Sequence, residues 1–135
     1  DMGILRDIRQ ADDGAVEVDI TPTYSGCPAM DMIRLEVELA LARAGLANAR
    51  VRSVVSPPWT TDWLSQAARD KLRANGIAPP ERPSGKRALF SAVDVVCPRC
   101  GTRDTERVSE FGSTACKALY RCLDCLEPFD YFKPH

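Results

Sequence analysis

Two short knuckles of the form C-x-x-C, "CPRC" at Cys97 and Cys100 and "CLDC" at Cys122 and Cys125, constrain this chain more than any other feature. A C-x-x-C turn aims two sulfurs at one centre, and two such turns complete a tetrahedron of soft thiolates suited to zinc. The twenty-one residues between Cys100 and Cys122 leave room for a hairpin that brings the knuckles together, as in a zinc ribbon. Four thiolates close the site and leave no position for water, so the expected Zn2+ is structural and not catalytic. Iron or an iron-sulfur cluster is the rival occupant, because the same ligands suit it. A unit of about fifty residues has too little core to fold alone, so the metal is expected to supply much of its folding free energy.

Two further cysteines, Cys27 and Cys116, stand alone, and this uneven spacing argues against a disulfide framework. Paired knuckles without a basic and apolar leader suit a reducing compartment, with the cytoplasm as the expected location. At 135 residues, 44% hydrophobic and 27% charged, the chain has enough apolar material for one globular domain or two small ones. No apolar run approaches a membrane span. The net charge of -1 lacks the basic excess that phosphate neutralisation requires. Residues 97 to 135 carry six Lys/Arg against six Asp/Glu, so the ribbon is expected to contact protein and not nucleic acid.

The remaining segments predict an α+β fold, a small mixed sheet with two helices in the order ββαβα, followed by a zinc ribbon. "MGILRDIR" and "AVEVDI" flank the turn "ADDG" and predict a hairpin. Met30, Ile33, Val37, Ala40, Leu41 and Ala44 recur at helical spacing, with Pro28 suited to a first turn and Gly45 to a stop. "ARVRSVVS" predicts a third strand and "WLSQAARDKLRANG" a second helix ended by Asn75 and Gly76. "PPERPSGK" reads as a semi-rigid linker. The expected division is therefore 1–78 for the α+β domain, 79–86 for the linker and 87–135 for the ribbon, whose strands are "LFSAVDVV", "TERVSEF", "CKALYR" and "PFDYF".

Two strands joined through a helix normally run parallel in one sheet, so both end at the same edge. The loops that follow, "TPTYSGCP" and "SPPWTTDW", are then expected to face one another where ligands bind in such layouts. Cys27 at a helix entrance is a candidate thiolate for iron, a cluster or a partner, and a packing residue in the alternative. Tyr24, Trp59, Thr60, Thr61 and Asp62 are candidates for the wall of that site. The threonines and the aspartate also suit helix capping, and Trp59 and Trp63 also suit packing. Cys116, six residues before Cys122, lies roughly 20 Å from it along an extended strand at about 3.3 Å per residue. It reads as a small strand residue or as a free thiol favoured by the charge of Lys117. His135 reads as a frayed end, and no catalytic constellation is evident, so the chain is expected not to be an enzyme.

Several long stretches, "VDITPTYSGCPAMDMI", "VVSPPWTTDWLSQAARDKLRANGIAPP", "EFGSTACKALYRCLDC" and "EPFDYFK", closely resemble the PaaD family of phenylacetate-degradation proteins, encoded with the multicomponent phenylacetyl-CoA epoxidase. The first unit is similar to the small α+β domain of iron-sulfur assembly factors such as SufT. The resemblance covers nearly the whole chain. It departs at two places: the acidic segment that usually precedes the first strand is absent, and "YFKPH" lacks an expected cysteine. It implies an accessory or maturation role for the iron or iron-sulfur centres of the epoxidase. The oxygenase or reductase subunits and iron-sulfur assembly factors would be partners, and Cys27 would correspond to the family's cysteine. A transient cluster would need ligands beyond Cys27, from a homodimer, from Cys116 or from a partner's cysteine. The alternatives are a structural adaptor without metal transfer and a binder of a small molecule such as a coenzyme A ester.

Overall fold

In the computed structural model, residues 1–24, 26–81 and 95–135 are described. They divide into two compact units, Met2–Trp63 with His135, and Leu64–Pro134 with Asp1.

The first unit begins with a hairpin of β1 (Leu5–Gln10) and β2 (Val16–Ile20), paired antiparallel with Ile8 opposite Val18. The turn follows from its residues. Asp13 accepts a hydrogen bond from the Ala15 N–H at 3.0 Å, and Gly14 takes a φ of +81° that a side chain would resist. Helix α1 (Met30–Arg43) then carries the chain back to β3 (Arg50–Ser53), which pairs parallel with β2, Val18 beside Val51. This is the crossover expected from the sequence, and it completes a mixed sheet in the order β1-β2-β3.

Strand side chains alternate between faces. One face of the sheet buries Val18, Ile20 and Val51 against Met30, Ile33, Val37 and Leu41 of α1. The other carries a ladder of charges: Arg9 donates to Asp19 and to Glu17, each at 2.6 Å, and Arg52 donates to Asp19 at 3.1 Å. Asp19 is buried, and the Arg9 guanidinium, aided by Arg52 and opposed by burial, holds its carboxyl below the usual range. Helix α1 starts at Met30, so Pro28 lies in the preceding turn and not in the first helical turn.

The second unit opens with α2 (Gln66–Ala74), capped where the Ser65 hydroxyl accepts from the Ala68 N–H at 3.1 Å, and stopped by Asn75 and Gly76. Strand β4 (Ile77–Ala78) joins a sheet with β5 (Thr105–Ser109), β6 (Lys117–Cys122) and β7 (Pro128–Phe132), in the order β4-β7-β6-β5. Its core gathers Ala78, Val95, Cys97, Ala118, Cys122, Phe129 and Tyr131. The division of the chain thus differs from the boundary expected at residue 78. Strand β4 hydrogen-bonds in parallel to β7, Ile77 beside Asp130, and buried Arg69 of α2 donates to the Pro80 carbonyl, which attaches α2 and β4 to the ribbon sheet. Most of the predicted linker and of the strand "LFSAVDVV" lies outside the described residues. Among the described residues no helix is long and apolar enough to cross a membrane.

Candidate functional site

The four knuckle cysteines converge. Their sulfurs all lie within 4.8 Å of one another, with Cys97 to Cys125 at 3.8 Å and Cys100 to Cys122 at 3.5 Å. A tetrahedron with metal-sulfur bonds of about 2.3 Å has edges of about 3.8 Å, so the donor set fits a four-thiolate zinc centre. Backbone bonds shape each knuckle. In the first, the Cys97 N–H donates to Thr102 and its carbonyl accepts from Gly101, which turns with φ +79°. In the second, the Cys122 N–H donates to Glu127, the Cys125 N–H donates to the Cys122 sulfur at 3.3 Å, and Leu126 takes the same left-handed position with φ +61°.

Neighbouring thiols shift one another in opposite directions. Burial raises Cys122, but the Cys125 N–H and the neighbouring thiols outweigh it and bring Cys122 down to about 7. The Glu127 N–H lowers Cys125, yet the bond with Cys122, together with burial, pushes it up to about 12. One negative charge is readily held here, and four require a cation among them. Cys97 and Cys122 are buried, while Cys100 is exposed.

Cys116 stays outside this set. Its sulfur lies 3.1 Å from the Thr114 hydroxyl, one residue before β6. The charge of Lys117, expected to favour a Cys116 thiolate, is engaged by Asp130 at 2.9 Å. Burial raises the Asp130 carboxyl, but Ser113 and Lys117 hold it below the ordinary range.

In the first unit, the loops after the parallel strands β2 and β3 line one cavity of about 400 Å³. Tyr24 and Thr23 come from one loop, Val55, Pro58, Trp59 and Thr60 from the other. Trp59 is buried, and its ring N–H donates to the Met2 carbonyl at 2.8 Å, so it serves packing as well as the wall. The Thr60 hydroxyl accepts from the Asp62 N–H at 3.2 Å, the capping role weighed for it, while Thr61 and Asp62 begin a short 3-10 turn that ends at Trp63. Trp63 packs under the Arg6 guanidinium, 3.9 Å from its ring centre. The Thr21 hydroxyl on the cavity's inner side is buried with no hydrogen-bond partner among the described residues.

Cys27 is half-buried, and its N–H donates to the carbonyl of the wall residue Tyr24 at 3.0 Å. Its own carbonyl accepts from Met30, the first residue of α1. His135 departs from its expected frayed state. Its ring packs against Tyr24 at 6.1 Å and Trp59 at 6.3 Å between centres, and its carbonyl accepts from the Thr61 N–H at 3.2 Å. Nothing local in "YFKPH" signals that contact, which joins distant parts of the chain.

Comparison with known proteins places this geometry among relatives. Residues 81–133 match the PaaD zinc beta ribbon domain, and residues 1–55 match the iron-sulfur cluster assembly protein family. Over 133 residues the chain is 47% identical to the D subunit of the 1,2-phenylacetyl-CoA epoxidase of Escherichia coli (strain K12), covering 98% of this chain and 79% of that protein. Over 72 residues it is 35% identical to the Fe-S protein maturation auxiliary factor YitW of Bacillus subtilis (strain 168), covering 53% of this chain and 71% of that one. A similar factor, SufT of Staphylococcus aureus (strain USA300), is also 35% identical over 72 residues, covering 53% of this chain and 82% of the factor.

Proposed function

For a chain that belongs to the PaaD family, that of the phenylacetyl-CoA epoxidase D subunit, we propose a non-catalytic accessory role in which it helps to install or maintain the iron or iron-sulfur centres of that epoxidase. The observation that carries this reading is the likeness of residues 1–55 to iron-sulfur cluster assembly proteins, in a chain otherwise similar over 98% of its length to the epoxidase component. The names of the two maturation factors support it further.

In this reading Zn2+ occupies the Cys97, Cys100, Cys122 and Cys125 site and holds the ribbon in shape. The ribbon serves docking onto an oxygenase or reductase subunit. Cys27 is the transient ligand for iron or a cluster in transit, a soft thiolate beside the cavity whose wall includes Tyr24, Trp59 and Thr60. One thiolate is too few for a cluster, which takes four protein ligands, so the remaining ligands come from the client or another assembly factor.

Anaerobic reconstitution with iron and sulfide tests the role of Cys27. With the client subunit or an assembly factor present to supply the other ligands, absorption and Mössbauer spectra of the wild type are expected to show a cluster, and Cys27→Ser to lose it while keeping its zinc content. Equal cluster loading in both proteins would remove Cys27 from the mechanism. If Cys27→Ser also supports full epoxidase maturation in cells while disruption of the ribbon abolishes it, the chain is an adaptor without metal transfer.

A further inference from the structure

Helix α1 is apolar on two opposite faces. Met30, Ile33, Val37 and Leu41 meet the sheet. Met32, Leu35, Leu39 and Ala42 recur at spacings of three, four and three on the other side, the seam pattern by which one helix packs along another. This second face is open to solvent, with Met32 60%, Leu35 48% and Leu39 40% exposed. No residue of α1 is fully buried. A surface helix of a monomer normally presents a charged face there, and helices apolar all round are covered.

The charges beside the seam indicate what covers it. Glu36 and Arg43 lie two turns apart along the same flank, and among the described residues neither has a salt-bridge partner, whereas Arg34 and Glu38 pair with each other at 2.9 Å. We propose that this face packs against the same face of a second copy of the chain. The two helices run antiparallel about a two-fold axis near Leu39, with Glu36 of each copy against Arg43 of the other. The arrangement is self-complementary, as a two-fold interface requires. The bulky Met32 and Leu35 end of one helix lies over the Ala42 end of the other. A parallel pair is disfavoured, because it brings Asp31 of one copy beside Glu36 of the other and aligns both helix dipoles in the same direction.

One consequence bears on cluster binding. Cys27 precedes the N-terminus of α1, and a helix of 14 residues spans about 21 Å at about 1.5 Å per residue. Antiparallel packing therefore keeps the two copies of Cys27 at opposite ends of the interface. The second copy does not supply the missing cluster ligand through its own Cys27. The contact is small, so the dimer is expected to dissociate on dilution.

Sedimentation velocity of the full chain over a concentration series tests the proposal. The wild type is expected to double its mass at high concentration. Leu39→Glu should remain monomeric throughout with an unchanged thermal melt, since Leu39 is exposed in the single chain. Glu36→Arg should weaken association about tenfold by replacing two exposed ion pairs with repulsions, and Glu36→Arg combined with Arg43→Glu should restore it. A wild type monomeric at every concentration overturns the proposal, as does a dimer that survives Leu39→Glu. Failure of the double exchange to restore association overturns the antiparallel register.

Discussion

The two units of this chain are organised by different forces. The first packs Val18, Ile20 and Val51 under helix α1 and braces the opposite sheet face with Arg9, Glu17, Asp19 and Arg52. The second has a larger sheet, and its buried core includes Cys97 and Cys122, two of the four thiols placed to hold a metal. Apolar burial and ion pairing sustain the one, whereas the other places thiols suited to a metal inside its own core. The lesson is that they should fail under different stresses.

Metal removal should separate them most strongly. A chelator that strips the ribbon, or Cys122→Ser, is expected to abolish amide hydrogen-exchange protection in β5, β6 and β7. Structural zinc contributes about 10–16 kcal/mol of apparent binding free energy to small zinc domains. Protection in β2 and β3 should persist, because the buried cluster around Phe129 and the one around Ile20 share no residue. Simultaneous loss in both units would refute the distinction.

Acid should separate them by order. Metal thiolates accept protons as the pH falls, so the ribbon should loosen first. The Asp19 carboxyl is held below its ordinary range, chiefly by Arg9. Its stabilising contribution is therefore complete above the unfolded carboxyl value of about 3.9 and is lost as the pH falls through the depressed folded value. Asp19→Asn should destabilise the first unit at neutral pH and flatten its acid transition, followed by exchange at β2 amides. An acid profile identical to the wild type would show that the charge ladder is not a stabilising element.

The smallest effect lies within the ribbon, between its two knuckles. Gly101 follows the first at φ +79° without penalty, whereas Leu126 follows the second at φ +61° and is exposed. A left-handed conformation costs a residue with a side chain roughly 1–2 kcal/mol. Leu126→Gly relieves that strain and loses little burial, although glycine adds freedom to the unfolded chain. A net gain of about 1 kcal/mol is expected in the denaturant midpoint of the zinc-loaded protein. A loss would mean that the Leu126 side chain makes a contact that outweighs the strain.

The sequence by itself determined the elements whose cause is local. Thiolate spacing set the knuckles, helical periodicity set α1, and the parallel strands of a strand-helix-strand unit put the loops of Tyr24 and Trp59 at one sheet edge. Periodicity also left two apolar seams on α1, of which only packing decided that Met30, Ile33, Val37 and Leu41 meet the sheet. Tertiary structure alone decided where the chain divides, because the two residues of β4 carry too little local signal to announce their pairing with β7. It likewise brought His135 against Tyr24 and Trp59, and turned Lys117 toward Asp130 instead of Cys116. Each of these contacts joins residues far apart in the chain or chooses among competing partners. Local propensity does not encode such choices, and the free energy of the assembled fold settles them.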